Sequence, residues 1–295
     1  MPEASIICCF KDASQYFDAM VESVLNQNMD SWELLLIDDG SLDGTNVLAL
    51  EYANGVDERI RYYSHPGRVN VGKSSSRNLG LTKARGEFAC FLDADDIFLP
   101  NKLSYHIALL RAQSKATMVV GQTTYWRSWN NTGTDFIPAT EVRPQELYAP
   151  GDLLPVLYGQ LGAAPCICGA MFRRSVALKL GGFDESIQNL YEDQVFFAKF
   201  FVDEYVYVDG SAHELYRQHV DSDWHSSIRT GEDITARAVY MSWLYAYIKN
   251  RKYVGDDVLK TIKKTRRDIW RRTFREGLHT TVRVLTRNFL RFSRR

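Results

Sequence analysis

Four groups of residues in this sequence carry side chains suited to chemistry. Asp93, Asp95 and Asp96 close a short apolar run. In an extended segment Asp93 and Asp95 point to the same side. Carboxylates suit magnesium or manganese, and phosphate oxygens can complete the shell. The plainer reading is a solvated strand-end turn in which one aspartate caps a helix. Asp38-Asp39-Gly40-Ser41 closes an earlier run. A carboxylate there can accept from a ribose hydroxyl or a base N–H, or simply shape a turn. Glu192-Asp193 stands at an expected helix start, where acidic charge is favoured by the helix dipole. Arg77 follows the loop Asn70-Val71-Gly72 and could reach a phosphate or base, or form a surface ion pair. These groups could hold a diphosphate through a cation, recognise a nucleoside and deprotonate a hydroxyl.

The elements that must position them alternate. Residues 5–10, 33–37, 59–64 and 87–92 read as strands. Helices are expected over 13–26, where Phe17, Met20, Val21, Val24 and Leu25 share a face, after Asp43, over 74–84 and after Pro100. Strand–helix alternation implies a mainly parallel sheet, whose ligands gather at the carboxyl ends of strands. Both aspartate clusters sit at such ends. From about residue 117 the pattern changes. Strands are expected over 118–122, 123–128, 168–172, 205–209 and 213–217, and helices over 150–158, 175–179 and 191–201. We read this half as packing on the same sheet. Residues from 232 onward read as helical.

The chain has 295 residues, 45% apolar and 24% charged, enough for a sizeable core and against global disorder. Met1-Pro2-Glu3-Ala4 runs straight into a strand, and no apolar run nears the roughly 20 residues that span a bilayer. A cytoplasm-facing protein is therefore expected. Cys8, Cys9, Cys90, Cys166 and Cys168 form no framework and read as reduced, packed thiols. The formal net charge is zero, but residues 249–295 hold 16 basic and 4 acidic side chains. Val282, Leu285, Phe289 and Phe292 share one helical face, with Arg283, Arg287, Arg291 and Arg294 mostly off it. Such a helix suits an anionic membrane surface, or packing on its own domain or a second subunit. The acidic remainder argues against a nucleic-acid partner.

The order of these motifs resembles the family 2 glycosyltransferases of GT-A fold. The matching residues are Asp38-Asp39-Gly40-Ser41, Asn70-Val71-Gly72 with Arg77-Asn78-Leu79-Gly80, and the run from Gly86 to Pro100 containing Phe91-Leu92-Asp93-Ala94-Asp95-Asp96. They continue with Gly181-Gly182-Phe183-Asp184, Glu192-Asp193 and Tyr216-Arg217-Gln218-His219. The resemblance covers roughly residues 4–225. It implies an α/β GT-A domain over 1–231, with a Rossmann-like mixed sheet flanked by helices. Residues 1–115 would bind the nucleotide and 116–231 the acceptor, leaving 232–295 as a basic helical appendage.

The resemblance also implies an inverting transfer from a nucleotide sugar to an acceptor hydroxyl, in polysaccharide biosynthesis. A UDP-sugar leads the donor candidates, with thymine and guanine left open. The acceptor would be a sugar or a lipid-linked sugar, and the protein could be peripheral on the inner face of the membrane. Asp38 and Asp39 look like the nucleoside-contacting pair, and Arg77 like the arginine that approaches the nucleotide. Asp93 and Asp95 look like the D-x-D motif, with Asp95 the Mn2+ or Mg2+ ligand and Asp93 nearer the ribose. Asp193 resembles the general base, and Glu192 would shape the acceptor site. His219 is either a metal or diphosphate contact or a structural residue.

One departure stands out. The family's Pro-x-Tyr-Asn after the first strand is replaced by Cys9-Phe10-Lys11-Asp12, so base stacking falls to Phe10 or is lost. The motif of processive synthases is absent, which favours single addition. A nucleotidyltransferase would need a Gly-rich, Arg-containing loop after the first strand, and a dinucleotide oxidoreductase a G-x-G-x-x-G there. A non-catalytic nucleotide-sugar-binding or scaffolding module is the alternative that survives. Trp126, Trp129, Tyr148 and Tyr158 could stack on an acceptor's sugar faces or pack in the core.

Overall fold

Strand β1 (Ala4–Phe10) shows why the chain folds as a layered sheet. Side chains alternate across a strand, and β1 is apolar on both sides. Ile6, Cys8 and Phe10 enter one core and Ile7 the other. A strand buried on both faces belongs at the centre of a sheet covered by helices on each side. A computed structural model describes residues 1–275 except 132, 163, 189, 221 and 252. In it β1 pairs in parallel with β2 (Trp32–Asp38) and with β4 (Phe88–Phe91), and β3 (Ile60–Ser64) flanks β2.

The first core holds α1 (Ser14–Leu25) and α4 (Lys102–Ala112), through Phe17, Met20 and Val24 and through Leu103, Ile107 and Leu110. The helix α2 (Thr45–Glu51) lies beside α1. The opposite core holds α3 (Lys73–Lys83) and α7 (Glu192–Asp203). α3 lies tight on β1 because Gly80 has no side chain. A Cβ there would sit 2.3 Å from Cγ2 of Ile7. Gly80→Ala is expected to cost about 1–3 kcal/mol by overpacking, read by urea unfolding. A double mutant with Ile7→Ala would recover part of it; simple additivity of the two costs would contradict this reading.

The second half extends the same sheet. After the two-residue β5 (Ile97–Phe98) come β6 (Met118–Trp126), β7 (Glu146–Tyr148), β8 (Ala170–Arg173) and β9 (Val206–Arg217), giving the order β3-β2-β1-β4-β8-β6-β9-β5, with β7 also on β9. The sequence reading split β6 and β9 into two strands each. Each is one long strand, and the β6–β9 register shifts between Val120 and Thr124. One of the two shifts falls at Gly121, where a Cβ would meet the Ser211 carbonyl at 3.0 Å. Bulges break the alternation that sequence reading relies on. The helix expected over 150–158 shrinks to α5 (Leu154–Leu157). Pro155 suits a helix start and cannot lie deeper in one. α6 (Arg174–Lys179) falls where expected.

Beyond β9 come α8 (Asp223–Thr230), α9 (Glu232–Ile248) and α10 (Asp256–Arg275). α9 docks by polar anchors on an apolar face. Tyr240 donates to the Leu157 carbonyl at 3.0 Å, Trp243 Nε1 to Asp184 at 2.8 Å and Tyr247 to Asp203 at 2.7 Å. α10 packs on α9 with Ile262 buried and leaves Lys260, Lys263, Lys264, Arg267 and Arg271 exposed. The amphipathic pattern at Val282, Leu285, Phe289 and Phe292 lies outside the described residues. Among the described residues no helix is long and apolar enough to cross a membrane. All five cysteines are free, and burial pushes their thiols upward, so they stay protonated.

Candidate active site

The carboxyl ends of β1, β2 and β4 open into a cleft of about 1360 Å3, whose far wall is built from α7, α8, α9 and the 156–168 loop. Asp39, Arg77, Asp93, Asp95, Asp96, Glu192, Asp193 and His219 all line it. Residues scattered over some 180 positions thus share one cavity, large enough for two ligands of ordinary size.

Asp39 sits at the end of β2. Its two oxygens accept from the Val71 and Gly72 amides at 2.9 and 3.1 Å, which fixes the loop that starts α3. Asp38 points the other way. It is fully buried, accepting from Ser41 N and from the Tyr62 hydroxyl, both at 2.8 Å. The expectation that Asp38 contacts a nucleoside is therefore corrected: its oxygens build the turn. Phe10 lines the cleft, with its ring largely buried and in a T-shaped contact with Phe17 at 4.9 Å.

Arg77 was expected at the nucleotide. Instead its guanidinium is buried and spans two carboxylates, donating to Asp93 at 2.8 Å and to Glu192 at 3.1 Å. Burial, the largest single influence, would raise Asp93, but the charges of Arg77 and Lys73 and the Arg77 hydrogen bond together outweigh it and hold the carboxyl below its usual range. Arg77 thus ties the end of β4 to the start of α7. Its neighbour Asn78 completes the tie. It accepts from Phe183 N at 2.8 Å and donates to the Phe183 carbonyl at 3.1 Å, locking α3 to the Gly-Gly-Phe-Asp segment. Lys199 of α7 donates to the Gly182 carbonyl at 2.7 Å.

Asp95 is partly exposed, and its Oδ2 lies 2.9 Å from His219 Nε2. Asp96 is buried behind it. Burial, then the charges of Asp95 and Asp93, push its carboxyl well up. Sequence reasoning missed the residue that holds this turn. Arg217 donates Nε to the Asp95 carbonyl at 2.6 Å, and its backbone N–H to Asp96 at 2.9 Å. Its guanidinium lies 4.4–4.9 Å from the rings of Tyr16, Trp126 and Trp129. Those two tryptophans clamp an arginine rather than meeting a sugar. A signal for Arg217 was present: it stands in the same Tyr216-Arg217-Gln218-His219 motif as His219.

Asp193 begins α7, whose apolar face (Val195, Phe196, Phe200) is buried in the core. Among the described residues its carboxylate accepts only from the adjacent Gln194 amide, at 2.7 Å. Burial in the cleft, then the charge of Glu192, raise it to about 7, although Arg77 pulls the other way. The preceding Tyr191 has φ 65°, a left-handed conformation uncommon outside glycine. Ser222, His225, Glu232, Arg237 and Tyr240 also line the cleft. Reading residues 232–295 as an appendage overlooked that contribution.

This mixed sheet flanked by helices, with Asp39, Asp93 and Asp95 on one wall of its cleft and Asp193 on the other, is a GT-A architecture. It is similar to S. aureus TarS 1-349 solved with UDP-GlcNAc, at TM-score 0.64 and 18% identity, covering 93% of this chain and 73% of that one. It is also similar to the mannosyltransferase PcManGT from Pyrobaculum calidifontis solved with GDP-Man and Mn2+, at TM-score 0.58 and 14% identity, over 97% and 84%. The model of glycosyl transferase family 2 matches residues 5–181, and the chain belongs to that family. A cholesterol galactosyltransferase of Borreliella burgdorferi is 28% identical over 204 residues, 68% of this chain and 55% of that protein. An Escherichia coli UDP-Glc:alpha-D-GlcNAc-diphosphoundecaprenol beta-1,3-glucosyltransferase is 38% identical over 106 residues, 36% of this chain and 40% of that protein. The chain thus spans about half the length of these curated relatives.

Proposed function

We propose that this chain transfers a sugar from a nucleotide-sugar donor to an acceptor hydroxyl, with inversion and with Asp193 as general base. One observation carries the reading: a single cleft is lined by the Asp95–His219 pair and by a carboxyl raised to about 7. A base tuned near neutrality can take a proton without being permanently protonated. In a direct displacement the acceptor oxygen attacks the anomeric carbon as the bond to the diphosphate breaks. Asp193 receives the acceptor proton, and the anomeric centre inverts. Asp39 lies where the nucleoside would enter, and Asp93, held by Arg77, is left for the ribose. Glu192, also held by Arg77, shapes the acceptor side.

The donor set fits a divalent cation. Asp95 and His219 converge at 2.9 Å on the cleft wall, while among the described residues no group of three metal-binding side chains occurs. Two protein donors leave positions for phosphate oxygens, the usual arrangement for ions that bind with substrate phosphates. A bound Mn2+ or Mg2+ would neutralise charge on the departing diphosphate. A uridine donor is supported by the neighbours solved with UDP and UDP-GlcNAc. The E. coli relative's acceptor supports a lipid-linked sugar. A lipid-linked acceptor would suit peripheral attachment at the inner membrane face, which the exposed basic face of α10 favours.

The test is binding and turnover of UDP-sugars with Mn2+ and with EDTA. UDP with Mn2+ is expected to raise the melting temperature, and UDP-sugar consumption to stop in EDTA. Asp95→Ala is expected to abolish the Mn2+-dependent part of the UDP shift while leaving the unliganded melting temperature close to wild type. An unaltered Mn2+ response would remove Asp95 from the metal site. Binding without any transfer or hydrolysis would favour the non-catalytic module.

A further inference from the structure

Arg237 on α9 lines the cleft, and among the described residues it makes no hydrogen bond or ion pair. The other strong cations of the wall are engaged: Arg77 between two carboxylates, Lys11 within 4.0 Å of Asp12, and Lys73 and Arg127 with partners of their own. Arg237 also stands on the side of the base. Its charge acts on the phenols of Tyr191 and Tyr240, as does that of Asp193. Those two rings stack at 5.3 Å and 13°. Tyr240 is buried and anchored to the Leu157 carbonyl, so it backs Tyr191 rather than meeting a ligand. Tyr191, half-buried and held at φ 65°, presents the platform immediately before the base. Strain of this kind persists where the surrounding structure imposes it, often at ligand sites.

We propose that Tyr191 and Arg237 form the acceptor subsite, and that the acceptor is a sugar bearing a phosphate ester. The sugar ring rests on Tyr191, its phosphate is gripped by the guanidinium of Arg237, and the reacting hydroxyl meets Asp193. Guanidinium matches phosphate geometry with paired N–H donors, which a free lysine cannot do as well. The acidic groups on the same wall, Glu232 and Asp193, lie beyond ion-pair distance of Arg237 and disfavour an anion placed beside them. The inference rests on the transfer reading and names the substrate class for it.

The test uses the full chain saturated with UDP and Mn2+, so that the donor side is occupied. Binding of N-acetylglucosamine 1-phosphate, N-acetylglucosamine and inorganic phosphate is measured by calorimetry. The phosphorylated sugar is expected to bind about tenfold or more tightly than either other probe, the range of a charge-assisted contact. Arg237→Gln is expected to erase that preference and Arg237→Lys to keep part of it, with UDP affinity unchanged in both. Equal binding of the two sugars, or no binding of the phosphorylated one, overturns the proposal. So does a preference that survives Arg237→Gln. Equal, Arg237-dependent affinity for inorganic phosphate overturns it as well, since it marks a bare anion site. Failure of wild type to bind UDP at all would strike the nucleotide-sugar reading instead.

Discussion

Asp193→Asn is expected to cut turnover by about 10²–10⁴-fold, the range of a lost general base, and to stabilise the protein at pH 8. The two effects share one cause. The native carboxyl titrates near 7, against an ordinary value of 3.8, because burial and the Glu192 charge disfavour its ionised form. Below pH 4 it is protonated folded or unfolded and contributes nothing to the difference. Between about 4 and 7 the native state holds a proton that the unfolded state has released. Stability therefore falls as pH rises through that window, and the full cost remains above 7. A shift of this size at a half-buried site corresponds to roughly 1–4 kcal/mol. Asparagine carries no charge and escapes the cost. The melting temperature of Asp193→Asn should exceed that of wild type at pH 8, with the gap closing towards pH 4. In wild type, kcat/KM should fall about tenfold per pH unit below pH 7, since the base must be deprotonated. A profile flat from pH 5 to 8 would remove Asp193 from the reaction, whatever the variant's stability.

How much of this could be read beforehand follows from the range of the forces involved. The first four strands and the aspartate clusters at their ends are local patterns. Ile6, Ile7 and Cys8 declare a strand buried on both faces, and Asp38–Ser41 declares a turn. Which of two adjacent aspartates faces the cleft is not local. Asp38 turns inward because Tyr62, on the neighbouring strand, supplies a hydroxyl at 2.8 Å. The clamp on Arg217 draws one ring from α1 and two from the end of β6 and the turn after it. No spacing in the sequence announces such a meeting. The same holds for Lys102 and Glu214, fully buried and paired at 2.7 Å across 112 residues. Long strands with bulges read as two, because the bulge interrupts the period that defines a strand. α9 looked like an appendage because its cleft-facing Arg237 and Tyr240 are ordinary helical residues. Only docking on α7 gives them a role.

Replacing Arg77 by Leu is expected to be the most damaging single change in the cleft. Arg77 was read from the sequence as a nucleotide contact, yet its outer nitrogens are taken by Asp93 and Glu192. Removing it leaves two carboxylates in a confined space without their cation. Breaking a buried pair in this way costs about 3–5 kcal/mol, measurable as a lower urea midpoint. Arg77 is also what holds Asp193 down against burial and Glu192. Without it the acid limb of kcat/KM should move above 7, so that recovery requires a more alkaline pH. The link between β4 and α7 would loosen at the same time, and a misplacement of 1 Å at a reacting centre can cost about 100-fold. Arg77→Lys separates the two roles. It keeps the charge, so the acid limb should stay near that of wild type, but one ammonium cannot fork across both carboxylates. Its loss of kcat/KM should then be a loss of positioning alone, intermediate between wild type and Leu. An unmoved acid limb in Arg77→Leu would show that the arginine does not set the charge state of the base. A melting temperature equal to wild type would show that the tie between the two walls is not structural.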